Sequence, residues 1–90
     1  MNISISASQE APKEYIVDSD LIKETERAIG LPVGHRGEYH AVSCIWFPKH
    51  YIQMKDLGSR RMRVTIPAWL VAKKRTTGEL LSGFDIITTF

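Results

Sequence analysis

The sequence predicts a small, β-rich α+β domain: a bent antiparallel sheet of three to five strands, with a helix starting near Pro67. Two observations carry this. Residues 51–55 and 61–66 both alternate apolar and polar side chains, the period of a strand with one buried face, on either side of the turn-forming run Asp56-Leu57-Gly58-Ser59-Arg60. Ile66-Pro67 then ends the alternation. Ala68 to Arg75 follows as a run of good helix formers, behind a proline suited to the first helical turn. Ninety residues, 43% of them apolar, suffice for one small core and leave no room for two domains.

In chain order, residues 1–13 have the composition of a flexible N-terminal tail, and residues 14–90 form the single globular domain. Residues 14–33 support two assignments. Asp18-Ser19-Asp20 offers helix N-caps, Leu21, Thr25, Ala28 and Ile29 have helical spacing, and Gly30 suits a helix stop. Against this, Ile29, Leu31 and Val33 alternate as a strand does. Gly34-His35-Arg36-Gly37 is a loop by composition. Tyr39 to Phe47 predicts a strand; neither of its faces is strongly polar, which points to a central strand covered on both sides. Pro48 breaks its ladder.

The hairpin that follows has an arguable register. Pairing Met54 with Met62 and Ile52 with Val64 aligns the apolar faces around a five-residue loop, 56–60. The other face then carries Tyr51, Gln53, Lys55, Arg61, Arg63 and Thr65, with Lys55 across from Arg61. Like charges directly opposed destabilise a sheet, so either Asp56 screens them or the face expects an anion. In the helix, Trp69, Leu70 and Ala72 are expected to face the sheet. Lys73, Lys74 and Arg75 complement the dipole at its C-terminal end, and Thr76-Thr77-Gly78 stops it. The β-prone run Phe84 to Phe90 is a last strand and a possible self-pairing edge. The predicted inner residues are Ile29, Leu31, Val42, Ile45, Trp46, Ile52, Met54, Val64, Ile66, Trp69 and Leu70.

Trp46-Phe47-Pro48-Lys49, followed by Ile66-Pro67-Ala68-Trp69-Leu70-Val71-Ala72-Lys73-Lys74, resembles the shared text of a family of small phage and mobile-element proteins, roughly W-[IL]-P-K-S-x-I and then [IV]-P-x-W-L-A-x-K-G. Thr25-Glu26-Arg27-Ala28-Ile29 resembles the T-E-K-A-[IV] stretch that often precedes the first tryptophan. The resemblance covers about residues 22–75. It departs at His50, where the family has Ser, and at Arg75, where it has Gly. It implies a phage or prophage origin, a non-enzymatic accessory role and a β-rich fold. The last of these favours the strand over the helix at 25–33.

The residues themselves narrow the chemistry to binding. The ten acids form no spaced pair in an apolar setting, as general acid–base catalysis would need, and no nucleotide-loop or nucleophile-elbow motif is present. His35, His40, Cys44 and His50 match no zinc spacing, and His40 and Cys44 on one strand face would stand about 13 Å apart, too far to share an ion. Neither a metal nor a cofactor is expected. A lone cysteine excludes an intrachain disulfide, no apolar run approaches the roughly 18–20 residues of a membrane span, and the start lacks signal-peptide features. A cytoplasmic protein is expected, in the host cell if phage-encoded. The net charge is only +2, but the cations cluster: Lys55, Arg60, Arg61 and Arg63 on the hairpin with Tyr51 among them, and Lys73, Lys74 and Arg75 on the helix. Cations beside an aromatic ring suit single-stranded nucleic acid. The same residues would also serve a phage protein that binds and inhibits a host protein complex, such as a defence effector. A homodimer through an exposed strand is the third possibility.

Overall fold

Ala28–His35 (β3) is the strand on which half of the molecule is built. The computed structural model describes residues 11–38 and 40–89. In β3, large residues alternate with Gly30, Pro32 and Gly34, and every position from Ile29 to Gly34 is buried. On one edge β3 pairs antiparallel with Ser43–Pro48 (β4). On the other it takes two short partners, Lys23–Glu24 (β2) against Ile29 and Gly30, and Phe84–Ile86 (β7) against Val33 to His35. Pro32 falls between those two stretches, where its missing N–H leaves no ladder bond unmade, and its carbonyl accepts from the Ile87 N–H at 2.9 Å.

The second sheet has three antiparallel strands in the order β1–β6–β5: Lys13–Asp18, Arg61–Ile66 and Gln53–Gly58. The fold is thus α+β and β-rich as the sequence predicts, with its strands divided between two small sheets. One core joins them. Val17, Val64 and Ile66 come from the three-stranded sheet, Ile29, Leu31, Val33, Ile45, Phe47 and Ile86 from the other, and Leu70, Val71 and Leu80 from the helix and the loop after it.

At residues 19–33 the strand reading holds. Only Ser19–Leu21 is helical, a single 3-10 turn capped by Asp18, whose carboxylate accepts from the Asp20 N–H at 2.9 Å. Of the tail expected over 1–13, residues 1–10 lie outside the described residues, and Lys13 already pairs with Ile66 in β1.

The helix, Ala68–Thr76 (α1), starts behind Pro67, whose carbonyl accepts from the Leu70 N–H at 3.0 Å. It ends in a Schellman motif: Gly78 N–H donates to Arg75 O and Glu79 N–H to Lys74 O, with Gly78 at φ 83°.

Three expectations are corrected. First, β4 lies at the edge of its sheet, and β3 is the central strand. Second, Trp46, Met54 and Trp69 are 37%, 40% and 46% exposed and Val42 is 59% exposed, so these four residues are not core. Leu70 and Val71 point the helix's apolar side inward, which turns Trp69 out. Phe47, Val17, Val33 and Leu80 fill the interior instead.

Third, the hairpin is offset by two residues. Met54 faces Val64, and Asp56 faces Met62. The loop closes as a two-residue turn, with Ser59 and Arg60 at φ 53° and 60°, after a bulge between Asp56 and Gly58. A two-residue slide keeps every side chain on its own face. The apolar and basic faces therefore survive, but the pairs across them change.

Candidate functional site

The solvent face of the three-stranded sheet presents three rows across β1, β6 and β5: Glu14/Thr65/Gln53, Ile16/Arg63/Lys55 and Asp18/Arg61/Gly58. Lys55 and Arg63 are directly opposed. Asp56 does not screen them. It faces Met62 on the other side of the sheet, and its carboxylate accepts from the Gly58 N–H at 2.8 Å. Asp18 is in register with Arg61, but its carboxylate caps the 3-10 turn. Among the described residues, Lys55, Arg61 and Arg63 make no ion pair with a carboxylate. Arg60, in the turn, pairs with Asp20 at 3.3 Å.

Tyr51 is not on that face, contrary to the sequence expectation. It ends a second 3-10 turn, Lys49–Tyr51, ahead of β5. There its ring meets Trp69 of α1 at right angles, with centroids 5.1 Å apart, and His50 stacks obliquely on it at 4.1 Å. This places Tyr51 with the helix cations instead, beside a groove of about 260 Å³ that Pro48, Trp69, Leu70, Lys73, Lys74 and Glu79 also line.

The helix cations are unequal. Lys74 is largely covered, with its ammonium 3.0 Å from Glu79 and 5.6 Å from the centre of the Phe47 ring. Arg75 forms an ion pair with Asp85 at 3.6 Å and donates to the Phe84 carbonyl at 3.4 Å. Lys73 is exposed and, among the described residues, has no carboxylate partner. Two groups have shifted titration. Hydrogen bonds from Lys74 and Thr77 hold the Glu79 carboxyl below its ordinary value. Burial, and then the charge of Asp85, push the Tyr15 hydroxyl up.

The eight residues singled out in the sequence therefore split. Lys55, Arg61 and Arg63 form one cationic face, while Tyr51 and Lys73 belong to an aromatic groove elsewhere. Arg60, Lys74 and Arg75 are tied to carboxylates. Sequence reasoning missed Trp69 as a surface group. A helical wheel anchored on Leu70 and Val71 would have found Trp69, because it shares the outer side with Lys73, four residues on.

Among the described residues, no group of three or more His, Cys, Asp or Glu is placed to hold a metal ion, and no helix is long and apolar enough to cross a membrane. Comparison with family models, curated proteins and solved structures finds no match to this chain.

Proposed function

We propose that the protein is a non-enzymatic accessory module of phage or mobile-element type that binds nucleic acid, single strands above duplex, through the solvent face of its hairpin. The observation that carries this is the Lys55–Arg63 pair. The two cations are opposed across the strands, and no carboxylate lies within ion-pair range among the described residues. Opposed like charges cost a sheet stability, and a bound phosphate turns that cost into attraction. Arg61, on the same face, adds a third contact. A flexible single strand can lay its backbone on such a face, and no element of the described residues is shaped to enter a duplex groove and read its sequence.

Fluorescence anisotropy with labelled single-stranded and duplex oligonucleotides, at low and moderate salt, tests this. Binding that falls linearly in log salt is expected. Lys55→Ala with Arg63→Ala should flatten that slope by about 1.4, for two lost contacts to a single strand. No binding at low salt would overturn the proposal.

A second reading is a host protein as partner. It is favoured by β4, an edge strand with Val42 and Trp46 exposed on or beside it, because strand edges and tryptophans recur in protein interfaces. Capture of a protein with weak salt dependence would favour it. A homodimer through an exposed strand, with Phe84–Ile86 as the described part of its expected edge, is distinguished from this by a sizing column.

A further inference from the structure

The hairpin face supplies cations but no ring on which a base can stack, since Tyr51 lies elsewhere. The rings are at the groove between the Lys49–Tyr51 turn and α1. Trp69 and Tyr51 are 46% and 44% exposed. They stand at right angles with centroids 5.1 Å apart, forming a corner in which a planar ring can lie flat on one and edge-on to the other. His50 backs Tyr51 at 4.1 Å. The Trp69 position on the helix faces outward, because its neighbours Leu70 and Val71 are buried in the core. The groove, about 260 Å³, suits one heteroaromatic ring rather than a larger ligand.

Charge selects the kind of ring. Lys73 lies one helical turn beyond Trp69, exposed and without a carboxylate partner among the described residues. The other lysine and the acid of the groove, Lys74 and Glu79, neutralise each other at 3.0 Å. An ammonium outside ion-pair range of any carboxylate among the described residues, beside exposed aromatic faces, is the combination that holds single-stranded nucleic acid: stacking for the base and a cation for its phosphate.

We infer that this groove is a base-stacking site. One base of a single strand packs on the Trp69 indole with Tyr51 at its edge, and Lys73 takes the flanking phosphate. The inference rests on the nucleic-acid reading above and adds a second contact region to it.

The test uses the full chain with Trp46→Phe, which leaves Trp69 as the sole tryptophan. It is titrated with an oligothymidylate and with an abasic strand of the same length. The expected result is quenched tryptophan fluorescence with the oligothymidylate, and abasic binding weaker by about 5- to 150-fold, the range for one stacked base. Trp69→Ala should weaken oligothymidylate binding by a similar factor and leave abasic binding unchanged. Because Trp46→Phe can disturb the fold, Trp69→Phe is run in parallel with Trp46 retained, and it should show no quench. Equal binding of both strands, or no effect of Trp69→Ala, overturns the stacking site and leaves phosphate binding standing. If neither strand binds the wild type at low salt, the nucleic-acid reading falls, and this site with it.

Discussion

The indole of Trp46 rests on Gly30, its partner across β3 and β4: a Cβ built at Gly30 would lie 3.1 Å from the indole Cε2 and Cζ2 atoms. A glycine in a buried central strand is otherwise a weakness, because it offers no side chain to pack. Here it makes the seat for an aromatic ring on the outer side of the sheet. This accounts for a tryptophan that is only partly exposed although its strand is an edge.

Gly30→Ala makes the 37%-exposed indole give way by a few tenths of an ångström and is expected to destabilise by about 1 kcal/mol, the low end of the range for overpacking, despite the better strand propensity of alanine. The crowding requires the indole. In a Trp46→Ala background, the added cost of Gly30→Ala should fall towards zero. Thermal melts of the two single variants and the double variant check this, and simple additivity would contradict it.

The two aromatic residues Phe47 and Trp69 should behave oppositely to what their size suggests. Phe47 is fully buried, so Phe47→Ala should cost about 3–5 kcal/mol. Trp69 is 46% exposed and packs on Tyr51, so Trp69→Ala should cost about 1 kcal/mol. Urea denaturation of both variants decides the ranking.

The hairpin turn holds Ser59 and Arg60 in the left-handed region, at φ 53° and 60°. That costs non-glycine residues about 1–2 kcal/mol each. The Arg60–Asp20 pair at 3.3 Å is exposed and contributes at most about 1 kcal/mol. Ser59→Asn with Arg60→Gly should thus stabilise the fold by about 1 kcal/mol, since Asn-Gly is the preferred pair for this turn. A lowered denaturation midpoint would show that the ion pair outweighs the strain.

Glu79 ties stability to pH at the helix end. Its carboxyl is held below the ordinary value of 4.5 by hydrogen bonds from Lys74 and Thr77, so folding favours the ionised form. That contribution is present above pH 4.5 and is lost as pH falls through the lower folded-state value. Wild type should be more stable than Glu79→Gln at pH 7, and the gap should close in acid. A gap independent of pH would mean that the glutamate acts by packing alone.

The legible parts of the fold were those with local causes. Arg61–Ile66 is a strand over the same residues as its alternation, and the helix begins at Pro67, which stands as its extended N-cap, one position before the first turn expected for it, with its carbonyl accepting the first helical bonds. The first strand was not legible. Lys13–Asp18 lacks a clear period, and it is a strand because Arg61–Ile66, distant in sequence, supplies its ladder. The hairpin register was missed by two residues because apolar matching is blind to a slide of two, and the five-residue loop closes instead as a bulge followed by a two-residue turn.

The candidate site divides along the same line. Periodicity and propensity, acting over a few neighbouring residues, were enough for the class, the hairpin, the helix and the shared face of Lys55, Arg61 and Arg63, but they wrongly added Tyr51 to that face. Which cations lack an ion pair and which rings are exposed follows from the packing of distant segments. Arg60 meets Asp20 across 40 positions of chain, and Lys49 meets Glu24 across 25. Tyr51 meets Trp69 only because the turn after β4 packs beside α1. Charge pairing and burial depend on distance in space, and long-range strand pairing alone sets that distance.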